Sequence, residues 1–178
     1  MSLVVKRTGY GQVEPNHLSG IVTGQIYAQL PCAAAITQLE QGQFAKYDYA
    51  AGEVNFTGDG EFMLVYNEEK HHDERQQYHK DFVYKKTDFT DNKLYPRLIR
   101  TYVGDIMTTN TFATANTSNT AEVNSELTLA VGNYFTVNSS GFLVKANSKP
   151  ESGMVWKAVK EYTMPDGKSP GLKLQRIQ

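Results

Sequence analysis

The sequence contains one cysteine, Cys32, so no disulfide can form within the chain and a disulfide-stapled scaffold is excluded. Cys32 lies in the apolar run Pro31-Cys-Ala-Ala-Ala-Ile36, with no neighbouring cation to stabilise a thiolate, and it reads as a small packing residue. An excess of one charge is missing too. Lys and Arg number 18 against 19 for Asp and Glu, leaving no field to hold phosphates or an anionic bilayer, so neither direct nucleic-acid binding nor a membrane partner is expected. Long apolar runs are absent. Nothing reaches the roughly 7 to 15 residues of a signal h-region or the ~20 of a membrane span, which suggests a protein made and used on the cytosolic side. In that setting the sequons at Asn55, Asn116 and Asn138 carry no meaning.

The usual signatures of catalysis are also lacking. There is no Gly-x-Ser-x-Gly elbow, and Gly9-Tyr-Gly11 and Gly58-Asp-Gly60 lack the strand, helix and further residues of a phosphate loop, so both are turns. His71, His72 and His79 cluster beside Glu68, Glu69, Asp73 and Glu74 and offer the only motive for a hydrolase or metalloenzyme. The spacing is poor for it. On a helix His72 and His79 would stand about 10.5 Å apart, too far to share one ion, and Glu68 with His72 alone does not make a site. Asp88-Phe-Thr-Asp-Asn92 has oxygen ligands without the glycine and distal glutamate of a calcium loop. No catalytic residue, metal or cofactor is therefore assigned, and the chain is read as non-enzymatic.

What is present is a β pattern. Phe44 to Tyr49 and Phe62 to Tyr66 are short apolar or aromatic runs separated by Gly52 and Gly58-Asp-Gly60, and Leu98 to Met107 is rich in β-branched residues. In the last third, Leu127, Leu129 and Val131 alternate, as do Phe135 and Val137. Asn138-Ser-Ser-Gly141 turns the chain into Phe142 to Val144. Trp156, Ala158 and Tyr162 are expected to share a face. Met164-Pro-Asp-Gly167 turns again, and Leu172 and Leu174 alternate with Lys173 and Gln175. Hairpins in series predict a mainly β fold, a compact barrel or sandwich over residues 26–178.

The remaining segments read differently. Residues 1–25, broken by glycines and Pro15, form an extended N-terminal arm that has too little apolar surface to order itself, so it must lie on a neighbouring molecule or on its own body. Pro31 to Gln41 predicts one short helix: proline suits the first turn, three alanines favour it, and Gly42 stops it. Two polar insertions, about 68–90 and 108–126, are expected outside the core. Glu68 to Phe82 within the first would be a surface helix or a polar loop. Eleven tyrosines suit strand faces, protein interfaces and sugar platforms alike.

Four stretches together resemble the decoration or cement proteins of tailed-bacteriophage heads. They are Lys6-Arg-Thr-Gly-Tyr-Gly-Gln-Val-Glu-Pro-Asn16, Val103-Gly-Asp-Ile-Met-Thr-Thr-Asn-Thr111, Leu129-Ala-Val-Gly-Asn-Tyr-Phe-Thr-Val137 with Gly141-Phe-Leu-Val144, and Tyr162-Thr-Met-Pro-Asp-Gly167 with Leu172-Lys-Leu-Gln-Arg-Ile177. The resemblance implies a β-barrel-like body and an arm laid on a shell of the major capsid protein. It further implies self-association, often as trimers or in contacts at local symmetry axes, a place on the virion surface after assembly in the host cytoplasm, and no catalytic residues. On that reading Lys6, Arg7, Tyr10, Val13 and Glu14 of the arm contact the capsid. A receptor- or carbohydrate-binding module of a phage tail or fibre is the alternative, motivated by the tyrosines and the polar 108–126 stretch.

Overall fold

The computed structural model describes residues 2–6, 9–22, 30–66, 83–114 and 126–178. The fold is mainly β. Period-two alternation, read most plainly in the last third, produces β12 (Tyr134–Val137), β13 (Leu143–Ala146), β14 (Trp156–Thr163) and β15 (Pro170–Arg176). Together with β9 (Ile106–Thr109), β10 (Phe112–Ala113) and β2 (Val13–His17) they form a seven-stranded sheet of order β10-β13-β12-β14-β15-β9-β2. Its pairs are antiparallel except β10 with β13. A four-stranded antiparallel sheet, β5-β4-β6-β8, is built from Glu53–Asn55, Phe44–Asp48, Met63–Val65 and Leu98–Ile99. Two ribbons complete the body: β1 (Leu3–Val5) with β11 (Leu127–Leu129), and β3 (Gln38–Glu40) with β7 (Val83–Lys85). None of these sheets closes on itself, so of the two expected architectures the sandwich-like one describes the body.

The four-stranded sheet is apolar on both sides, and this organises the interior. Phe44 and Leu64 face a cluster with Met107, Phe112, Phe135, Trp156, Leu172 and Leu174 from the large sheet. Ala45, Tyr47, Met63 and Val65, one position on, face a second cluster with Cys32, Ile36, Leu39 and Leu94. A strand displays alternate residues on opposite faces, so one short sheet serves two cores. Each fully buried Leu or Phe contributes roughly 1.5 to 3 kcal/mol.

Four expectations are decided or corrected. Of the two places left open for residues 1–25, a neighbouring molecule or the chain's own body, the described residues lie on the body. β1 pairs in register with β11, β2 is the edge strand beside β9, and Val5 and Val13 are buried. Polar links reinforce the pairing: the Gly11 N–H donates to Glu40 Oε2 at 2.9 Å, the Gln12 N–H to Asn110 Oδ1 at 2.9 Å, and Gln12 Nε2 to Asp166 Oδ2 at 3.1 Å. A side chain at position 11 would collide with the Gln41 carbonyl, so glycine is what lets the backbones approach. Burial alone would raise the Asp166 pKa, but hydrogen bonds from Ser169, Lys168 and Gln12 hold this carboxyl below its ordinary value.

The second correction concerns Pro31 to Gln41, which is not a helix. Cys32 bridges to Val54, the Ala33 N–H donates to the Val54 carbonyl at 2.8 Å, and Gln38–Glu40 is a strand. Alanine's helical preference amounts to a few tenths of a kcal/mol over ordinary residues, less than burying Ile36 and Leu39 in the second core. Helix among the described residues amounts to one turn at Ser19–Val22 and a 3-10 turn at Lys86–Asp88.

Third, the polar insertions are shorter than expected. Thr108, Thr109, Asn110 and Thr111 are fully buried, and among the described residues the three hydroxyl groups find partners whereas Asn110 Nδ2 does not. Thr108 Oγ1 bonds Asn16 Oδ1 at 2.6 Å, Thr109 Oγ1 donates to the Gln12 carbonyl at 2.8 Å, and Thr111 Oγ1 to the Gln41 carbonyl at 2.8 Å. Likewise 83–85 is the strand β7. The expectations for residues 67–82 and 115–125, including His71, His72 and His79, lie outside the described residues.

The fourth concerns β14, where a bulge between Ala158 and Lys160 reverses the alternation. Trp156 and Ala158 point into the core, whereas Tyr162 stands on the other face and is 40% exposed.

Candidate interaction surface

The outer face of the seven-stranded sheet is built from residues directly across from one another. In one row Tyr134 lies opposite Lys157, which lies opposite Gln175 and then Ile106. In the next, Lys160 is opposite Lys173, Lys173 opposite Thr108, and Thr108 opposite Glu14. Tyr162 follows beyond the bulge. Lys157 Nζ lies 5.8 Å from the centre of the Tyr134 ring, and Lys173 Nζ 5.8 Å from that of Tyr162.

Like charges directly opposed across a strand pair are destabilising, yet Lys160 and Lys173 are so placed. Neither lysine forms an ion pair among the described residues. Among the described residues, three lysines and a single carboxylate, Glu14, leave this face positive on a chain whose formal net charge is −1. An arrangement that breaks a local rule with no gain inside the fold is where function is sought.

Comparison with protein-family models, with curated proteins and with solved structures finds no match. The chemistry of the surface therefore carries the functional reading by itself. Cations over aromatic rings, on a broad sheet face, suit a protein partner whose own surface is acidic.

The arm residues picked from the sequence do not gather into one patch. Lys6 is exposed and paired with Glu126 at 3.0 Å, both mostly in solvent, so that pair contributes little. Arg7 lies outside the described residues. Tyr10 is half-buried beneath Lys85, whose Nζ is 4.9 Å from its ring centre. A hydrogen bond with Tyr10 raises the Lys85 pKa. Val13 is 6% exposed and packs in the first core, so its side chain is not presented to a partner. Glu14 alone stands on the outer face. Sequence reasoning missed Tyr134, Lys157, Lys160 and Lys173. Alternation of Lys173 with Leu172 and Leu174 pointed outward, but the bulge hid Lys160.

Two further observations bear on chemistry. Cys32 is buried, and burial, with the Glu53 charge adding, pushes its thiol up to about 12, which removes it as a nucleophile. Among the described residues no group of three His, Cys, Asp or Glu side chains is arranged to hold a metal ion.

Proposed function

We propose that this chain is a structural protein of a tailed-phage head, a decoration or cement protein that binds the shell of the major capsid protein. The outer sheet face is the docking surface, and the capsid protein presents acidic groups to it. The observation that carries the reading is the opposed pair Lys160 and Lys173, flanked by Tyr134 and Tyr162. Such a pair disfavours the free protein slightly and is relieved when a carboxylate docks between the two ammonium groups. Modest contacts of this kind suffice on a shell, because symmetry repeats them. The resemblance of the sequence to the decoration proteins adds support. Ordering of the N-terminal segment adds none, since that segment is held by its own body.

The test separates stability from binding. Lys160→Glu turns a like-charge pair into an opposite-charge pair, and it is expected to raise stability by about 0.2 to 1 kcal/mol. The same change is expected to weaken co-sedimentation with capsid shells by at least about tenfold, or 1.4 kcal/mol. Shell binding of the unaltered chain should also weaken with added salt. Undiminished binding by the Lys160→Glu protein contradicts the proposal.

A further inference from the structure

At one end of the sandwich the two sheets part to leave a cavity of about 470 Å³, within the range of small-ligand sites. Its walls come from distant parts of the chain: Lys46 of β4 and Phe62 just before β6 on one side, and Val137 of β12 with Arg176 of β15 on the other. Glu61 and Met154 contribute to the rim. This place is separate from the outer sheet face, because Phe62 and Met154 pack against the first core from within the sandwich.

The electrostatics are those of an anion site. Arg176 is anchored: Nη1 donates to the Thr101 carbonyl and to Thr101 Oγ1 at 3.0 Å, and Nε donates to the Gln178 carbonyl at 3.1 Å. Among the described residues its Nη2 approaches only Glu61 Oε2, at 3.9 Å. Glu61 is shared, because its Oε1 accepts a hydrogen bond from Arg100 Nε at 2.6 Å. One carboxylate thus touches two guanidinium groups, and Asp105 acts on Arg176 as well. Lys46 has no carboxylate of its own among the described residues, and its ammonium rests 4.8 Å from the centre of the Phe62 ring.

We propose that this cavity binds a carboxylate-bearing saccharide of the uronic-acid type. Lys46 and Arg176, on opposite walls, would take the carboxylate, while the Glu61 carboxylate would meet a sugar hydroxyl. The faces of Phe62 and Met154 would meet the C–H side of the ring. A bare phosphate is a poorer match, because it has no apolar face to meet Phe62 and Met154.

The experiment uses the full chain and follows backbone amide resonances during titration with a glucuronate-containing disaccharide. Glucose and inorganic phosphate are titrated in parallel. Saturable uronate binding is expected, with shifts centred on Lys46, Phe62, Val137 and Met154, and at least about tenfold weaker binding of glucose and of phosphate. Lys46→Ala, at a half-buried wall position, is expected to weaken uronate binding at least about tenfold. Lys160→Glu should leave it unchanged, so the site stands or falls apart from shell binding. Absence of saturable uronate binding, equal binding of phosphate, or shifts centred elsewhere would overturn the proposal, even if the variants fail to fold.

Discussion

Trp156→Ala is expected to destabilise the chain by about 3 to 5 kcal/mol, read as a shift in the denaturation midpoint. Trp156 is fully buried, packs at 6.1 Å and 52° against Phe44 of the other sheet, and lies directly across from Arg176. Its removal opens a cavity where the two sheets meet, and neither sheet can close in without breaking the other's register. Trp156→Phe offers the informative contrast. The indole N–H is buried and has no acceptor among the described residues, so its loss removes an unmet donor worth about 1 to 3 kcal/mol while leaving a smaller cavity. The two effects oppose, and the phenylalanine variant should lie within about 1.5 kcal/mol of the parent. A phenylalanine variant as damaged as the alanine one would mean that the indole N–H has a partner.

The second large effect is expected at Gly141. This residue closes the turn between β12 and β13 at φ 80°, and a side chain there would collide with the Phe44 carbonyl. Its own carbonyl accepts the Phe44 N–H at 2.7 Å, and the neighbouring Ser140 carbonyl accepts Gln43 Nε2 at 3.0 Å. These contacts tie the small sheet to the large one. Gly141→Ala combines left-handed strain of about 1 to 2 kcal/mol with a steric clash of about 1 to 3 kcal/mol, for an expected loss of about 2 to 5 kcal/mol. Gly132, also at positive φ, has nothing near its added side chain. Gly132→Ala should therefore show the strain alone, and equal losses at both positions would contradict the steric argument.

The parts of the fold that could be read from the sequence are those in which neighbours in the chain are neighbours in space. β12 with β13 and β14 with β15 are antiparallel pairs closed by turns that contain Asn, Gly and Asp, and local alternation sufficed to find them. The errors share the opposite property. β1 and β2 are short and interrupted, and their partners β11 and β9 lie about a hundred residues away. Pro15 is tolerated in β2 because that strand is an edge and its register shifts between Glu14 and His17. Thr108 to Thr111 look solvent-facing by composition. They are buried because their hydroxyl and amide groups meet the backbone and side chains of a segment that sequence reasoning had set apart.

The candidate surface was legible in part. Tyrosine was recognised as interface material and Lys173 as outward-pointing, but one bulged residue at Val159 decides that Lys160 opposes Lys173 and that Tyr162 joins them. A bulge leaves no mark on a hydrophobic pattern beyond a break in alternation. The cavity was not legible at all, since residues 46, 62, 137, 154 and 176 converge only through the packing of two sheets.

Hydrogen exchange on the isolated full chain, away from any shell, tests most directly whether the N-terminal segment belongs to the body. The amides of Gly11 and Gln12 and the paired amides of β1 and β2 should be protected, opening together with β9 and β11. Exchange of these amides at the unprotected rate, while β14 and β15 remain protected, would contradict the account and return the segment to the role of a free arm.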